Sequence, residues 1–300
     1  MNEEIVLEVK GLTKTFKNVE AVKSLDLTIR KGEVYGLLGP SGSGKTTTLA
    51  MLLGILHPSK GSYSWFGNGD KNENRLRIGS LLETPNFYPY LNAYDNLKVV
   101  GKIKKVANLN KRIDEVVALV DLEERGKRPF RTFSLGMKQR LGIGIALLHN
   151  PSLIILDEPT NGLDPQGISD IRNLIQHLAK EEGKTILVSS HILAEIEQMA
   201  SHILILHKGK KIADGPIQTL LDPNKLIVHL TTTNDAQAIQ VILASSFSHY
   251  LLKRTEGIYL SIPHFEIPLL NQYLINAGVG LVNVESRNSL EDYFLQVTSN

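Results

Sequence analysis

The chain has 300 residues, 33 basic and 31 acidic side chains, a formal charge of +2 and no cysteine. Disulfides, zinc–thiolate sites and thiol nucleophiles are thereby excluded, and so even a charge balance argues against a protein that holds nucleic acid electrostatically. The length suits one large domain and a small one.

Apolar and polar residues alternate around Ile5, Leu7 and Val9 and again around Leu25, Leu27 and Ile29, which predicts two half-buried strands. The run Val34-Tyr35-Gly36-Leu37-Leu38 follows the turn residues Lys31-Gly32 and reads as a buried strand. Next comes Gly39-Pro40-Ser41-Gly42-Ser43-Gly44-Lys45-Thr46-Thr47, which fits G-x-x-x-x-G-K-[ST], and residues 47–53 read as a helix. Strand, glycine loop, helix is the context in which this pattern cradles phosphate. Gly42 and Gly44 let successive N–H groups turn inward, and the helix N-terminus adds partial positive charge. Lys45 would reach the β- and γ-phosphates, and the Thr46 hydroxyl would ligate Mg2+.

A helical period spans about residues 92–120, followed by the basic loop Arg125-Gly126-Lys127-Arg128-Pro129. Its cations, with Lys102, Lys104 and Lys105, read as a solvated face. Residues 153–156, 185–189 and 203–206 are further apolar strands with helical stretches between them, the signature of an α/β sheet with parallel character. Lys208-Gly209-Lys210 reads as a hairpin turn. Asp222-Pro223 marks a break. Beyond it, strands at 225–230, 250–253, 258–262 and 280–285 interleave with helices at 235–244 and 266–277, and a last helix starts at Ser289. That β-α-β-β-α-β order predicts a small ferredoxin-like module. No apolar stretch approaches the roughly 18 residues that span a bilayer, and Met1-Asn2-Glu3-Glu4 lacks the layout of a signal peptide. A soluble chain that meets a membrane only through a partner is expected.

Leu153-Ile154-Ile155-Leu156-Asp157-Glu158 is an apolar strand ending in two carboxylates. Delivering charge to the end of a buried strand is costly unless a metal or water receives it. Asp157 is placed to hold Mg2+, and Glu158 to deprotonate a water that attacks the γ-phosphate. Alone the pair could be a strand-ending turn; beside a glycine loop it reads as catalytic.

With these motifs in order, residues 8–217 resemble the nucleotide-binding subunit of ABC transporters. Phe133-Ser134-Leu135-Gly136-Met137-Lys138-Gln139-Arg140 resembles the family's LSGGQ signature, Asn161-Gly162-Leu163-Asp164 its D-loop, and Ser190-His191 its switch histidine. Phe16, six residues before Val22, resembles the aromatic that stacks on adenine. The resemblance implies a site shared by two subunits, with Ser134 and the Gly136 N–H capping the γ-phosphate in trans. It implies that His191 holds Glu158 and the water, and that Asp164 reaches across the dimer axis, a helix-capping role before Pro165 being compatible.

The chain departs from the family pattern in two places, the signature and residue 83. Leu135 replaces the first signature glycine and Met137 the glutamine. Glu83 stands where the family usually carries the glutamine that senses Mg2+, and a carboxylate accepts hydrogen bonds but cannot donate them as an amide does. Glu83 and the aromatics after it resemble the bacitracin-resistance and lantibiotic self-protection branch. The stretch from Glu83 to Tyr94, with Tyr88, Tyr90 and Leu91, would receive a helix from an integral-membrane permease.

The fold expected is α/β: a P-loop ABC ATPase domain with a mixed sheet and a helical subdomain, then a small α+β ferredoxin-like module. Expected boundaries are 1–220 for the ATPase domain, about 84–150 for its helical subdomain and 224–300 for the accessory domain. The expected activity is MgATP hydrolysis by a homodimer, or by this chain with a paralogous ATPase subunit. That activity would drive a permease at the inner face of the cell membrane. The substrate class is an amphiphilic peptide antibiotic or a lipid-like compound. A soluble DNA-repair-like or regulatory ATPase is the alternative, weakened by the lack of heptads and of cysteine. A translation-type factor would carry two cassettes, and this chain has a single glycine loop.

Overall fold

The computed structural model describes residues 4–67, 72–82, 86–221, 226–252, 257–287 and 289–298. The chain divides into two compact units, Met1–Gly215 and Pro216–Asn300.

The first unit opens with two long strands, β1 (Ile5–Phe16) and β2 (Val19–Arg30). They pair antiparallel, and β4 (Lys60–Trp65) adds to the other side of β1, in the order β2-β1-β4. Between them in sequence lie β3 (Val34–Leu38) and helix α1 (Lys45–Leu52). Next come the short α2 (Asn72–Arg75) and β5 (Ile78–Leu81). After these come α3 (Ala93–Ile103), α4 (Leu109–Leu119) and α5 (Leu135–Leu147). The unit continues through β6 (Leu153–Asp157), α6 (Pro165–Lys180), β7 (Thr185–Ser190) and α7 (Leu193–Met199). It finishes with β8 (His202–His207) and β9 (Lys210–Pro216).

The central sheet runs β5-β6-β7-β3-β8-β9, parallel from β5 through β8. Every residue of β3, β6 and β7 is buried, which is why these strands read as unbroken apolar runs rather than as alternations. Tyr35, Leu37, Leu153, Ile155, Leu187 and Leu204 pack in one cluster with α1 and the antiparallel sheet. On β3, Gly36 is approached by Ile196 of α7 so closely that a Cβ would lie 2.3 Å from its methyl. The expected hairpin turn at Lys208-Gly209 is present between β8 and β9, both residues at positive φ, 49° and 80°.

Helices α3, α4 and α5 pack together on the β5 side of the sheet. Asn96 is buried in α3, accepts from the Tyr88 N–H at 3.0 Å and donates to the Asn92 carbonyl at 2.9 Å, so it ties down the loop ahead of the helix. Lys102, Lys104 and Lys105 are exposed, as expected of a solvated face, and Lys104 also meets a neighbour. Its ammonium lies 3.2 Å from His149 Nδ1, and burial pulls its pKa below the ordinary lysine value.

The second unit starts with the short α8 (Ile217–Leu220) and continues through β10 (Leu226–Thr232) and α9 (Asp235–Leu243). It is completed by β11 (Ile258–Ile262), α10 (Ile267–Asn276), β12 (Leu281–Arg287) and α11 (Leu290–Thr298). The antiparallel sheet has the order β11-β10-β12. Val228, Leu230, Leu260 and Ile262 pack with Ile242 of α9 and Leu270 and Leu274 of α10 in one core. The strand expected at residues 250–253 is not formed over its described part. Ser246–Tyr250 is a 3-10 turn, and a single bridge joins Leu251 to Leu260. The turn is held because Ser245 accepts from the Phe247 N–H at 3.1 Å, Phe247 enters the core, and the Tyr250 hydroxyl donates to Glu266 at 2.9 Å.

Candidate functional site

The glycine loop leaves β3 at Gly39 and enters α1 at Lys45. Its path depends on glycine at two points of close approach. Gly39 has φ +152°, and a Cβ there would sit 2.2 Å from the Leu206 carbonyl oxygen. Gly44 has φ +108°, and a Cβ would sit 2.5 Å from the Ala21 carbonyl oxygen. The same stretch of β2 is gripped from the other side, where the Lys23 N–H donates to the Gly209 carbonyl at 2.8 Å and the Gly209 N–H to Ser43 at 3.0 Å. The loop, the start of β2 and the β8–β9 turn therefore form one packed block. Val22 is fully buried in it, its methyl beneath Gly44; the neighbouring Ala21 lines the cavity instead.

That cavity, of about 340 Å³, is bounded on one side by Ser41, Gly42, Gly44, Lys45, Thr46 and Thr47. Glu158, Asn161 and His191 bound the other. Pro40 and Ser43 belong to the loop's frame: the Ser43 N–H donates to the Pro40 carbonyl at 3.0 Å, and the buried Ser43 hydroxyl has no partner among the described residues. Lys45, only 6% exposed, donates to the Gly39 carbonyl at 2.7 Å and lies 3.2 Å from Glu158 Oε1. His191 Nδ1 lies 2.7 Å from Glu158 Oε2, and the His191 backbone N–H donates to the same oxygen at 3.3 Å. One carboxylate thus bridges the loop lysine and the histidine, residues far apart in sequence.

Glu158 has φ +49°, a left-handed conformation uncommon outside glycine. Ser189 supports it. The Glu158 N–H donates to Ser189 Oγ at 2.9 Å, while the Ser189 hydroxyl donates to Asp157 Oδ1. Asp157 is 4% exposed and lies behind the cavity wall. No cation pairs with it among the described residues. Thr46 is exposed in the first turn of α1, which packs against β6. Phe16 ends β1, is 45% exposed, and carries the Lys14 ammonium 5.0 Å from its ring centroid.

The signature residues lie elsewhere. Ser134 caps α5, its hydroxyl oxygen accepting from the Met137 N–H at 3.3 Å. Its own O–H stays free to donate. Asp164 caps α6 by accepting from the Gly167 N–H at 3.1 Å, with Pro165 at the first helical position. Ser134, Gly136 and Asp164 share a second cavity of about 560 Å³ that has no residue in common with the first. Leu135 is accommodated by Gly162, whose Cβ position is 3.1 Å from a Leu135 methyl. Arg140 anchors the signature helix to α6 through Asp170 at 2.6 Å and reaches Asp121 beyond α4. Glu83 lies outside the described residues.

Ala21 and Ser189 carried no sequence signal for a place in the site. Asn161 and Arg140 fell inside the D-loop and signature stretches, but no role was assigned to either. Among the described residues no helix is long and apolar enough to cross a membrane, and no group of three or more acidic or histidine side chains could by itself hold a metal ion.

Residues 22–161 match the ABC transporter family. The bacitracin transport ATP-binding protein BcrA of Bacillus licheniformis is 41% identical over 298 residues, 97% of each chain. The lantibiotic transport ATP-binding protein SrtF of Streptococcus pyogenes is 42% identical over 209 residues, 70% of this chain and 90% of that one. Among solved structures, a dimeric ATP-binding cassette in a post-hydrolysis state with ADP and Pi is similar. It has a TM-score of 0.63 and 29% identity, over 70% of this chain and 98% of that one. With likeness of this order along nearly its whole length, the chain belongs to the ABC transporter family, as an ATP-binding subunit that is an ATPase.

Proposed function

We propose that this chain pairs with a second copy, or with a paralogous subunit, around two MgATP, and that hydrolysis drives a separate integral-membrane permease. The observation that carries the reading is the division of the phosphate-binding groups between two cavities. The loop and Glu158 occupy one; Ser134 and Gly136, at a helix N-terminus suited to anions, occupy the other. A partner chain supplies what each lacks, and the dimeric cassette among the similar structures supports that arrangement.

In the assembled site Phe16 stacks on the adenine, and Gly39 through Thr47 hold the phosphates, with Val22 as packing beneath the loop. A γ-phosphate competes with Gly39 and Glu158 for the Lys45 ammonium. Glu158 then takes the proton of a water as its oxygen bonds to the γ-phosphorus and the bond to the β,γ-bridging oxygen breaks. His191 holds the Glu158 carboxylate and donates to the γ-phosphate. Ser134 and Gly136 of the facing chain donate to the same phosphate, and Asp164 lies at the dimer axis.

The residues present fit Mg2+. Among the described residues, Asp157 is a buried carboxylate with one hydroxyl donor and no cation, and the Thr46 hydroxyl makes no hydrogen bond. Mg2+ needs only one or two protein oxygens when phosphates and waters complete its shell, so the lack of a larger acidic cluster is no obstacle. Thr46 and Asp157 would hold it; Glu83 is assigned to it from sequence alone. When bound, the ion neutralises charge on the β- and γ-phosphate oxygens.

Tyr88 and Tyr90, 50% and 68% exposed with ring centroids 6.0 Å apart, support the 83–94 stretch as the permease surface. The chain then works at the cytoplasmic face of the cell membrane, held there through the permease and with no nucleic acid involved. The names of BcrA and SrtF support an amphiphilic peptide antibiotic, or a lipid-like compound, as the substrate that is exported or removed. Capture of the tagged chain from detergent-solubilised host membranes tests the reading. A polytopic protein at fixed ratio is expected, and its loss in a Y88A/Y90A variant places the surface. A chain that stays free of any membrane protein contradicts it.

A further inference from the structure

A further contact joins the turn after Glu158 to the helix after His191. The Thr160 hydroxyl donates to Glu195 Oε2. Thr160 is 3% exposed and Glu195 7%. Thr160 sits between Glu158 and Asn161, both of which face the phosphate cavity. Glu195 lies in the first turn of α7, four residues after His191. No cation pairs with Glu195 among the described residues.

A carboxylate near a helix N-terminus gains from the helix dipole, but it gains this as well at an exposed position. That effect does not account for burying the charge, which is unfavourable unless a donor meets it. What burial adds is a fixed geometry. His191 and Ser189 already hold Glu158 itself. Thr160–Glu195 adds a separate point of attachment two residues further on, and that point fixes the orientation of the turn. Glu158 needs this support because its φ of +49° persists only if its surroundings over-determine it. Ser189 holds its amide from the β7 side; Thr160 and Glu195 hold the turn that follows.

We infer that Glu195 is a positioning residue for hydrolysis, which fixes, through Thr160, the turn carrying Glu158 and Asn161 against the helix behind His191. The inference rests on Glu158 being the base for the attacking water. Full-length T160V and E195M, which break the bond, are compared with T160S and E195Q, which keep a donor and an acceptor. Steady-state hydrolysis and binding of a fluorescent ATP analogue are read in each. T160V and E195M are expected to lower kcat by about tenfold or more, the scale of a misplaced catalytic group, with KM and analogue affinity within about threefold. T160S and E195Q are expected to hold kcat within about threefold, and T160V/E195M to be no slower than its slower parent. If E195M does not fold, the T160V and T160S pair decides. Hydrolysis by T160V near the unmodified rate overturns the inference, as does T160S as slow as T160V, or a loss confined to KM. E158Q hydrolysing at the unmodified rate would instead remove the underlying assignment of the base.

Discussion

The proposed chemistry concentrates on Glu158. It follows directly on a fully buried strand, carries a left-handed backbone, and its two oxygens face Lys45 and His191. Replacing it with glutamine leaves the shape and removes the proton acceptor. E158Q is expected to bind ATP as the unmodified chain does and to lose about 10²-fold or more in turnover, measured by phosphate release. Gly44→Ala is a sharper steric test: its Cβ would meet the Ala21 carbonyl at 2.5 Å with φ at +108°, so nucleotide binding is expected to vanish in a titration calorimeter while α1 and the sheet persist. Residues of the loop were legible in the sequence because phosphate binding is a local backbone pattern, nine consecutive residues bounded by strand and helix. Ser189 and Ala21 were not, because each acts on a partner brought near only by the sheet. Sequence patterning reports burial, and it gives no pairing between segments that lie far apart.

At the scale of elements, the parallel strands were legible because burial on both faces leaves continuous apolar runs. The stretch 250–253 misled for the complementary reason: Tyr250-Leu251-Leu252 is apolar enough for a strand, yet Ser245 and Phe247 fix a turn just ahead of it. The signature helix shows how charge sets an element's place. Arg140, mostly buried, spans from the exposed Asp121 to the partly buried Asp170. R140A is expected to cost about 1 kcal/mol, seen as a fall of roughly 2–4 °C in thermal midpoint.

The other end of α5 carries a pH dependence. The Ile78 carbonyl only accepts and the Lys104 ammonium only donates, so His149 between them, 3.1 and 3.2 Å away, is neutral with its proton on Nε2. Burial, with Lys104 and Arg112 nearby, holds its pKa below the ordinary 6.5. The unfolded chain therefore takes up this proton first as pH falls. His149 costs no stability above about pH 6.5 and progressively more below it, down to its depressed folded pKa. H149Q should flatten the change in thermal midpoint between neutral and mildly acidic buffer; a slope equal to that of the unmodified chain would remove His149 as its source.

The whole molecule is an ATPase, and the groups proposed to bind phosphate are split between two cavities of one chain. Sequence alone carried this far because the motifs, each weak by itself, occur in one family's order. The second unit was legible only as a rhythm of strands and helices: its core residues are apolar and packed, and they name no ligand. The measurement that tests the central claim most directly is the mass of E158Q in solution by light scattering, with and without MgATP. The account predicts a monomer without nucleotide and a dimer with it. It also predicts that the dimer is lost when Ser134→Arg is added, since that side chain would block the facing phosphate. A chain that binds MgATP tightly and remains a monomer would contradict a site completed by a second subunit.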